Sequence, residues 1–262
     1  MDLDLTGKRA LVCGSTQGIG RAAAVELARL GCGVTLLARS VDSLERVRAE
    51  LPAERGQKHD WVAADFADAG QVKAAAVEAV SRHGTVHILV NNTGWPPGGR
   101  AIDADPSAYL AAFTAHIIAA QILAQAVVPG MSTAGYGRIV NIISTSVKAP
   151  IPGLGVSNTI RGAMASWSKT LATELAASGI TVNNVLPGFT ETERLTSLIQ
   201  TKARNSTRPE RDVREEMRLS VPAQRFASAG EVGAAVAFLA SPAAGYINGI
   251  NLPVDGGRTP SL

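Results

Sequence analysis

The chain has 262 residues, of which 46% are apolar and 18% are charged, and its net charge is +3. This length can bury one large core, and the small, dispersed basic excess argues against nucleic-acid binding. Cys13 and Cys32 are the only cysteines, which argues against a disulfide framework, and the four histidines show no ligand spacing with them, so we expect no metal. The opening MDLDLTGKRALVCG lacks the features of a secretory signal, and no apolar block reaches the roughly 18 residues of a membrane span. We therefore expect a cytoplasmic protein without a membrane segment.

Short β-branched runs alternate with Ala-rich stretches of helical spacing along the chain. The predicted strands are, in order, ALVCG, GVTLLA, HDWVAAD, VHILVNN, RIVNIIS, ITVNNVLPG and GINLPVDGG. Between them lie helical segments such as IGRAAAVELARL, AGQVKAAAVEAVSRHG and AAFTAHIIAAQILAQAVVPGM. This alternation predicts one α/β domain over residues 1–262, with a doubly wound parallel sheet of about seven strands and helices on both faces. Ligands bind beyond the carboxyl ends of the strands in such sheets.

The segment CGSTQGIG joins the first predicted strand to the first helix. Gly14 allows a tight turn, Gly18 allows the backbone to approach a pyrophosphate, and Gly20 allows close packing of helix and strand. The helix N-terminus offers unpaired N–H groups and a partial positive charge to the phosphates. The loop, which also contains Ser15 and Ile19, therefore predicts a dinucleotide site; an ordinary strand–helix turn is the alternative.

The second predicted strand ends in Ala38 and Arg39 instead of an acidic residue. A carboxylate here would accept a hydrogen bond from a ribose 2′-hydroxyl, whereas a guanidinium suits a 2′-phosphate. We therefore predict that NADP(H) is preferred over NAD(H). A side chain that only faces solvent is the alternative for Arg39.

A polar stretch interrupts the alternation after the sixth predicted strand. Residues 191–218 (ETERLTSLIQTKARNSTRPERDVREEMR) follow the carboxyl end of ITVNNVLPG, where a substrate lid is expected. We predict a lid over about residues 191–222, with a solvated helical pair as the alternative. Seven basic and six acidic residues in 191–218 give no indication of an anionic substrate.

The ordered motifs GSTQGIG, AADF, NNTG, IVNIIS, LPGFTET and INLPVDGG resemble the short-chain dehydrogenase/reductase family, and the chain is similar to its 3-oxoacyl-ACP reductases. The resemblance covers nearly the whole chain. It implies a single-domain Rossmann fold and an NAD(P)-dependent oxidoreductase that acts on a small carbonyl or alcohol substrate. It also implies a homo-oligomer, specifically a tetramer, because family members pair the apolar helices around residues 107–128 and 158–177 across a two-fold axis.

The resemblance also assigns cofactor contacts by position. Asp65 and Phe66 meet the adenine, Asn91 and Gly94 lie beneath the cofactor, and Pro187, Gly188 and Thr192 hold the nicotinamide amide. Thr93 replaces the usual alanine of the Asn-Asn-Ala-Gly turn, and Cys13 replaces a threonine. Trp95, Pro96 and Pro97 follow this turn and are expected to shape the wall of the substrate cleft; a rigid loop is the alternative.

The chain departs from the family at three of its four catalytic positions. An ungapped alignment places Ser157 at the tyrosine position, Arg161 at the lysine position and His116 at the asparagine position, while Ser144 keeps the family's serine. The family's tyrosine donates a proton to the carbonyl oxygen, and its lysine holds the cofactor ribose and lowers the pKa of the phenol. Ser157 is a far poorer acid, and Arg161 keeps the charge without passing on a proton.

We expect these four residues to divide the duties of the family's site. Arg161 would hold the cofactor, Ser144 and Ser157 would orient the substrate oxygen, and His116, an imidazole that ordinarily titrates near pH 6.5, would supply the proton. A packing role is the alternative for His116. Two other functions stay open: a cofactor-binding but catalytically silent protein, such as a partner subunit or sensor, and a lyase or isomerase that uses His116 as a base.

Overall fold

Seven parallel strands form one sheet in the order β3-β2-β1-β4-β5-β6-β7. The computed structural model describes residues 1–94, 96 and 98–261. The strands are β1 (Arg9–Cys13), β2 (Gly33–Ala38), β3 (Asp60–Ala63), β4 (Ile88–Asn91), β5 (Gly137–Ile142), β6 (Ile180–Pro187) and β7 (Asn251–Val254). The predicted doubly wound parallel sheet is confirmed.

Nine α-helices are found in the part of the chain that the structure describes. They are α1 (Gly18–Arg29), α2 (Val41–Glu50), α3 (Ala69–His83), α4 (Pro106–Phe113), α5 (Ala119–Thr133), α6 (Gly155–Leu175), α7 (Glu193–Ser206), α8 (Glu210–Leu219) and α9 (Ala229–Ala240). Several begin where the sequence supplies a cap. The side chains of Ser40, Asp68 and Ser228 accept hydrogen bonds from backbone N–H groups in the first turns of α2, α3 and α9, which satisfies donors that have no partner inside the helix.

Both faces of the sheet are covered, and β1 shows how. Ala10 and Val12 point into a cluster formed with α1, α2 and α9, whereas Leu11 and Cys13 point into a second cluster formed with α3 and α5. All four side chains are fully buried. Successive side chains of a strand alternate between faces, so a strand covered on both sides is apolar at every position.

A ladder of asparagine side chains crosses four neighbouring strands. Asn91 Nδ2 donates to Asn141 Oδ1 at 2.8 Å, Asn141 Nδ2 donates to Asn184 Oδ1 at 3.0 Å, and Asn184 Nδ2 donates to Asn251 Oδ1 at 2.8 Å. Asn141 Nδ2 also donates to Ser168 Oγ of α6 at 3.2 Å. Buried polar networks that are fully bonded fix one register of their elements. The ladder therefore ties the end of β4, from which the site's central turn leaves, to the rest of the sheet.

The helical run Pro106–Thr133 consists of α4, a π-helical turn over Thr114–Ile118, and α5. It has 28 residues, a mean hydropathy of 1.7 in its membrane-length window, and 44% of that window is buried in the protein. Among the residues that the structure describes, it is the one helical segment with the length and composition of a membrane span, properties that core helices of soluble proteins share. The π-helical turn contains His116, which is buried. Such turns shift the register of a helix and often lie at functional sites.

Residues 191–222, predicted as a lid, contain the helical pair α7 and α8. The pair packs around a small apolar cluster of its own, formed by Leu195, Ile199, Ala203, Val213, Met217 and Phe226. It lies directly after β6, as the sequence indicated. Movement of this pair over a substrate stays a prediction.

Candidate functional site

A cleft of about 730 Å³ opens where β1, β2 and β4 end. In the sheet order, β1 and β4 are the neighbours between which the direction of winding changes. Crevices at such switch points bind ligands in open α/β sheets. The described lining comes from residues 14–21, the end of β2 with the start of α2, the turn 92–94 and residues 192–194.

The glycine loop forms one wall of the cleft in a conformation that side chains would disturb. Gly14 and Gly18 have φ values of +55° and +54°, in the left-handed region. A Cβ at Gly14 would lie 2.5 Å from the carbonyl oxygen of Asn92, and one at Gly20 would lie 2.2 Å from the carbonyl oxygen of Gly14. Gln17, at the start of α1, makes no capping hydrogen bond with its side chain. The first N–H groups of α1 are therefore available to an anion.

A basic corner of the cleft lies where β2 ends and α2 begins. Arg39 lines it with a side chain that is 76% exposed, at 3.9 Å from Asp65. Ser40, Ser43 and Arg46 line the same corner. Ser43 and Arg46 were not predicted from the sequence. They follow Ser40 at intervals of three residues, a helical spacing that places them on the same side of α2 as Ser40.

The charge of the cleft favours an anionic ligand. Four arginines and two glutamates are found among its described lining residues: Arg21, Arg39, Arg46, Arg194, Glu50 and Glu193. One glutamate is engaged, because Arg21 donates to Glu50 at 2.7 Å. Guanidinium groups suit phosphates because several N–H donors lie in one plane.

The predicted cofactor residues fall into two groups. Those that line the cleft are Gly14, Gly18, Ile19, Arg39, Phe66, Gly94 and Thr192. Ser15 instead turns to β2, where its Oγ accepts from the backbone N–H of Leu37 at 3.1 Å. Asn91 belongs to the asparagine ladder, and a Cβ at Gly188 would lie 2.7 Å from Asp255. These residues support the cleft from behind.

The four candidate catalytic residues are all buried. The exposed fractions of Ser144, Ser157, Arg161 and His116 are 2%, 1%, 3% and 5%, and none of the four belongs to the described lining of the large cleft. Ser144 Oγ accepts from the backbone N–H of Ser146 at 3.1 Å. Ser157 Oγ has no hydrogen-bond partner among the described residues.

His116 and Arg161 share an inner cavity of about 10 Å³, which is enough for one water. Thr93 lines both this cavity and the large cleft. Its Oγ1 forms a short hydrogen bond with Nδ1 of His116. Thr93 is thus the side chain that joins His116 to the cleft. The sequence alone showed Thr93 only as a replacement for the family's alanine. The joint departure of Thr93 and His116 from the family pattern was the one sign that the two residues are related.

His116 lies in an environment that keeps its ring neutral. Burial, and then the charge of Arg161, lower the pKa of His116 to about 3, against the opposing effect of a hydrogen bond with the Gly94 backbone. Burial also lowers the pKa of Arg161 to about 10, so this side chain keeps its charge, and its Nη1 donates to the Ile142 carbonyl at 3.3 Å. The pKa of His116 therefore lies far below the value near 6.5 that the sequence suggested. A neutral imidazole can orient a hydroxyl group, but it is not a cationic acid.

This shift predicts how stability responds to acid. Between pH 6.5 and about 3 the unfolded chain binds a proton at His116 that the folded chain does not, so folding stability falls as pH falls, by about 1.4 kcal/mol per unit for this group. We expect His116→Asn to lose less stability than the wild type between pH 6.5 and 4, as measured by urea unfolding. The difference in slope is the readout, since the substitution can also change stability at neutral pH. Parallel slopes would contradict the assignment.

A second pocket, of about 260 Å³, lies next to the loop that follows Ser144. Its lining comes from the loop 145–152, the residue after α8, and residues 258–260. Of the three residues expected to shape the substrate wall, Pro96 is buried, whereas Trp95 and Pro97 lie outside the described residues. Their role stays a prediction.

Comparison with known proteins agrees with this geometry. The family model described as enoyl-(acyl carrier protein) reductase matches residues 14–259. Oxidoreductase UcpA of Escherichia coli (strain K12) is 36% identical over 256 residues, which cover 97% of this chain and 95% of that protein. The 3-oxoacyl-(acyl-carrier-protein) reductase FabG of Haemophilus influenzae is 33% identical over 253 residues, covering 97% and 98%. L-sorbose reductase from Gluconobacter frateurii, solved with NADPH and L-sorbose, superposes with a TM-score of 0.93 at 32% identity over 100% of both chains.

Proposed function

The chain belongs to the short-chain dehydrogenase/reductase family, and we propose that it is an NADP(H)-dependent oxidoreductase acting on a small carbonyl or alcohol substrate. The observation that carries the proposal is the glycine cradle at the switch point, with arginines at the far end of the same cleft. The relatives support it, since they include proteins named as oxidoreductases and a reductase solved with NADPH.

The residues present fit NADP(H). The backbone of residues 14–20 would hold the pyrophosphate, because a Cβ at Gly14 would collide with Asn92 and one at Gly20 would collide with Gly14, so only glycine keeps the cradle. Arg39 and Arg46 would hold the 2′-phosphate. Phe66 would meet the adenine, and Thr192 would lie near the nicotinamide. When bound in its reduced form, the cofactor supplies a hydride for a carbonyl carbon.

Thr93 is assigned the stabilisation of the substrate oxygen, which gains negative charge during reduction. Its side chain lines the cleft, where the hydroxyl can donate a hydrogen bond to that oxygen, and water in the cleft then supplies the proton that completes the alcohol. His116 stays neutral because of burial and of Arg161, and in the tautomer with its proton on Nδ1 it donates to Thr93 Oγ1 and leaves the Thr93 proton for the substrate. Arg161 acts from behind His116 instead of holding the cofactor. Ser144 and Ser157 remain candidates for orienting the substrate if the interior opens on binding.

A second candidate is a protein that binds the cofactor without turnover. It is favoured by the burial of all four positions at which family members carry their catalytic side chains. Under this alternative, Ser157 and Arg161 would have only a structural role, and the cleft would serve as a sensor or as part of an assembly.

One experiment separates the two candidates. NADPH binding to the purified protein is followed by fluorescence, and NADPH oxidation is then measured against a panel of ketones, quinones and imines. Binding with turnover supports the oxidoreductase. Binding without turnover on any member of the panel supports the silent protein, and absence of NADPH binding contradicts both.

The cofactor preference predicts a specific effect at Arg39. We expect Arg39→Asp to weaken NADPH binding by about 10- to 100-fold, as for the loss of a hydrogen bond to a charged group, and to leave NADH binding unchanged or improved. Arg48→Asp is the matched control, because Arg48 is exposed on α2, the helix that follows Arg39, and does not belong to the described lining. Equal binding of NADPH and NADH by the wild type would show that Arg39 has no role in selection.

We also propose a homotetramer that pairs the helices around residues 107–128 and 158–177. The exposed apolar side chains of Leu110, Phe113 and Ile118, which are 70%, 41% and 37% exposed in one chain, support it. We expect light scattering at micromolar concentration to give four times the chain mass. A monomeric mass would exclude the pairing.

A further inference from the structure

We infer that the pocket between the loop 145–152 and the C-terminal segment binds a carboxylate of the substrate, and that Arg258 determines this specificity. The pocket will be called the Arg258 pocket. The inference deepens the proposed function and rests on it, because the ligand is a substrate only if the protein is an enzyme. Binding of a carboxylate, however, can be tested without turnover.

The lining of the Arg258 pocket is almost uncharged. Its described residues are threonine, alanine, proline, isoleucine and serine, apart from the single charge of Arg258. The pocket has a volume of about 260 Å³ and is otherwise built from small and apolar groups. Its one guanidinium can therefore select an anion by a single strong contact. Prolines 150, 152 and 260 restrict the backbone of its walls.

Arg258 is held in place by a ring, and the charge of Asp255 also acts on its guanidinium. Its guanidinium carbon lies 4.1 Å from the centroid of the Phe189 ring. The nearby acid Asp255 uses both carboxylate oxygens elsewhere: Oδ1 accepts from Gly257 N at 3.0 Å, and Oδ2 accepts from Thr259 N at 2.8 Å and Thr259 Oγ1 at 2.5 Å. The Nε of Arg258 is buried and has no hydrogen-bond partner among the described residues.

A buried N–H of Arg258 without a hydrogen-bond partner in the described part of the chain favours an anionic ligand. Burial lowers the pKa of Arg258 from its ordinary value, which shows that the guanidinium has lost hydration. A desolvated cation gains more from a bidentate carboxylate than an exposed one does. The lid's balanced charges gave no sign of an anionic substrate; the charge comes from the C-terminal segment instead.

The Arg258 pocket lies beside the reaction site and apart from the cofactor. It begins at Thr145, the residue after Ser144, and Phe189 beneath Arg258 follows Gly188. It shares no described lining residue with the cleft of 730 Å³. A small molecule can therefore place a carboxylate here without competing with the cofactor phosphates. The class we expect is a short-chain oxo acid, or the corresponding hydroxy acid.

The test compares acids with their neutral esters. NADPH oxidation is measured with 3-oxobutanoate, 4-oxopentanoate and 5-oxohexanoate, and with the methyl ester of each. We expect the wild type to prefer at least one acid, and Arg258→Gln to lower the acid-to-ester ratio of kcat/KM by about 10- to 100-fold. The acid-to-ester ratio of Arg258→Lys should lie between those of the wild type and Arg258→Gln, because lysine keeps the charge without the planar donors. Arg29→Gln, at a side chain on α1 that is 61% exposed and lines none of these pockets, removes the same charge and should change nothing.

A second arm measures binding alone. Pentanoate, which cannot be reduced, is titrated by calorimetry into the protein–NADPH complex, with melting temperatures recorded for every variant. An unchanged acid-to-ester ratio in Arg258→Gln, with turnover intact, overturns the inference and leaves the proposed function standing. No turnover with any compound, together with pentanoate binding that requires Arg258, upholds the pocket and rejects the proposed function. Failure of the wild type to bind pentanoate overturns the inference, and so does turnover without a preference for any acid. If Arg258→Gln does not fold, Arg258→Lys decides.

Discussion

Asn141→Ala is expected to remove about 3 kcal/mol or more from the free energy of unfolding. The substitution leaves the Asn91 amide, the Asn184 carbonyl oxygen and the Ser168 hydroxyl without the partner they share. All three are buried, with exposed fractions of 6% or less. A buried polar group that loses its partner costs about 1–3 kcal/mol, so the total is a large part of the roughly 5–15 kcal/mol that stabilises a protein.

The position in the ladder sets the size of the effect, which gives a graded test. Asn251 lies at the outer end, on the edge strand β7, and accepts the bond from Asn184. Asn251→Ala should therefore cost about 1 kcal/mol, since one bond is lost at a half-buried site. Asn205→Ala, at an exposed position on α7, should cost almost nothing. Urea unfolding measures all three variants. Equal losses at Asn141 and Asn251 would show that the ladder does not act as a network.

The fold could be predicted from the sequence because its strands are covered on both faces. Continuous apolar runs such as ALVCG can only be satisfied in the middle layer of a three-layer domain, and Ala-rich helices of matching length alternate with them. The asparagines were visible too, in four of the predicted strands. Their bonding to one another was not, because it depends on the register between strands that are far apart in sequence.

The candidate site could be predicted only where local sequence fixes local geometry. The loop 14–20 requires glycine because of its own backbone conformation, so its place at the end of β1 could be predicted. Arg46 joins the cleft through the orientation of α2, and Arg258 meets the loop 145–152 through the C-terminal segment. The place of Arg46 could have been inferred from its helical spacing to Ser40, whereas that of Arg258 does not follow from spacing along the chain. The pKa of His116 depends on burial and on Arg161, which only the packed structure supplies.

The second large effect is expected at Thr93. Thr93→Val keeps the shape of the side chain and removes the hydroxyl that joins His116 to the cleft. If this hydroxyl stabilises the substrate oxygen, turnover should fall by about 10²-fold or more, while NADPH affinity stays within a few fold. Thr93→Ser retains the hydroxyl and should retain most of the rate. Steady-state kinetics with a substrate found in the panel, together with NADPH titration, measure both quantities.

His116 is expected to act through Thr93, which a double-mutant cycle tests. His116→Ala should lower turnover by less than Thr93→Val, and the double variant should be no slower than Thr93→Val alone, because an orienting residue has no effect once its hydroxyl is gone. The wild-type rate should show no inflection from His116 between pH 5 and 8, since its pKa of about 3 lies outside that window. An inflection near pH 6.5 that disappears in His116→Ala would mean that the ring is hydrated and cationic in the working enzyme. Full activity in both Thr93→Val and His116→Ala would remove the pair from the reaction, and the substrate oxygen would then have to be stabilised by water or by Ser144 and Ser157 in an opened interior.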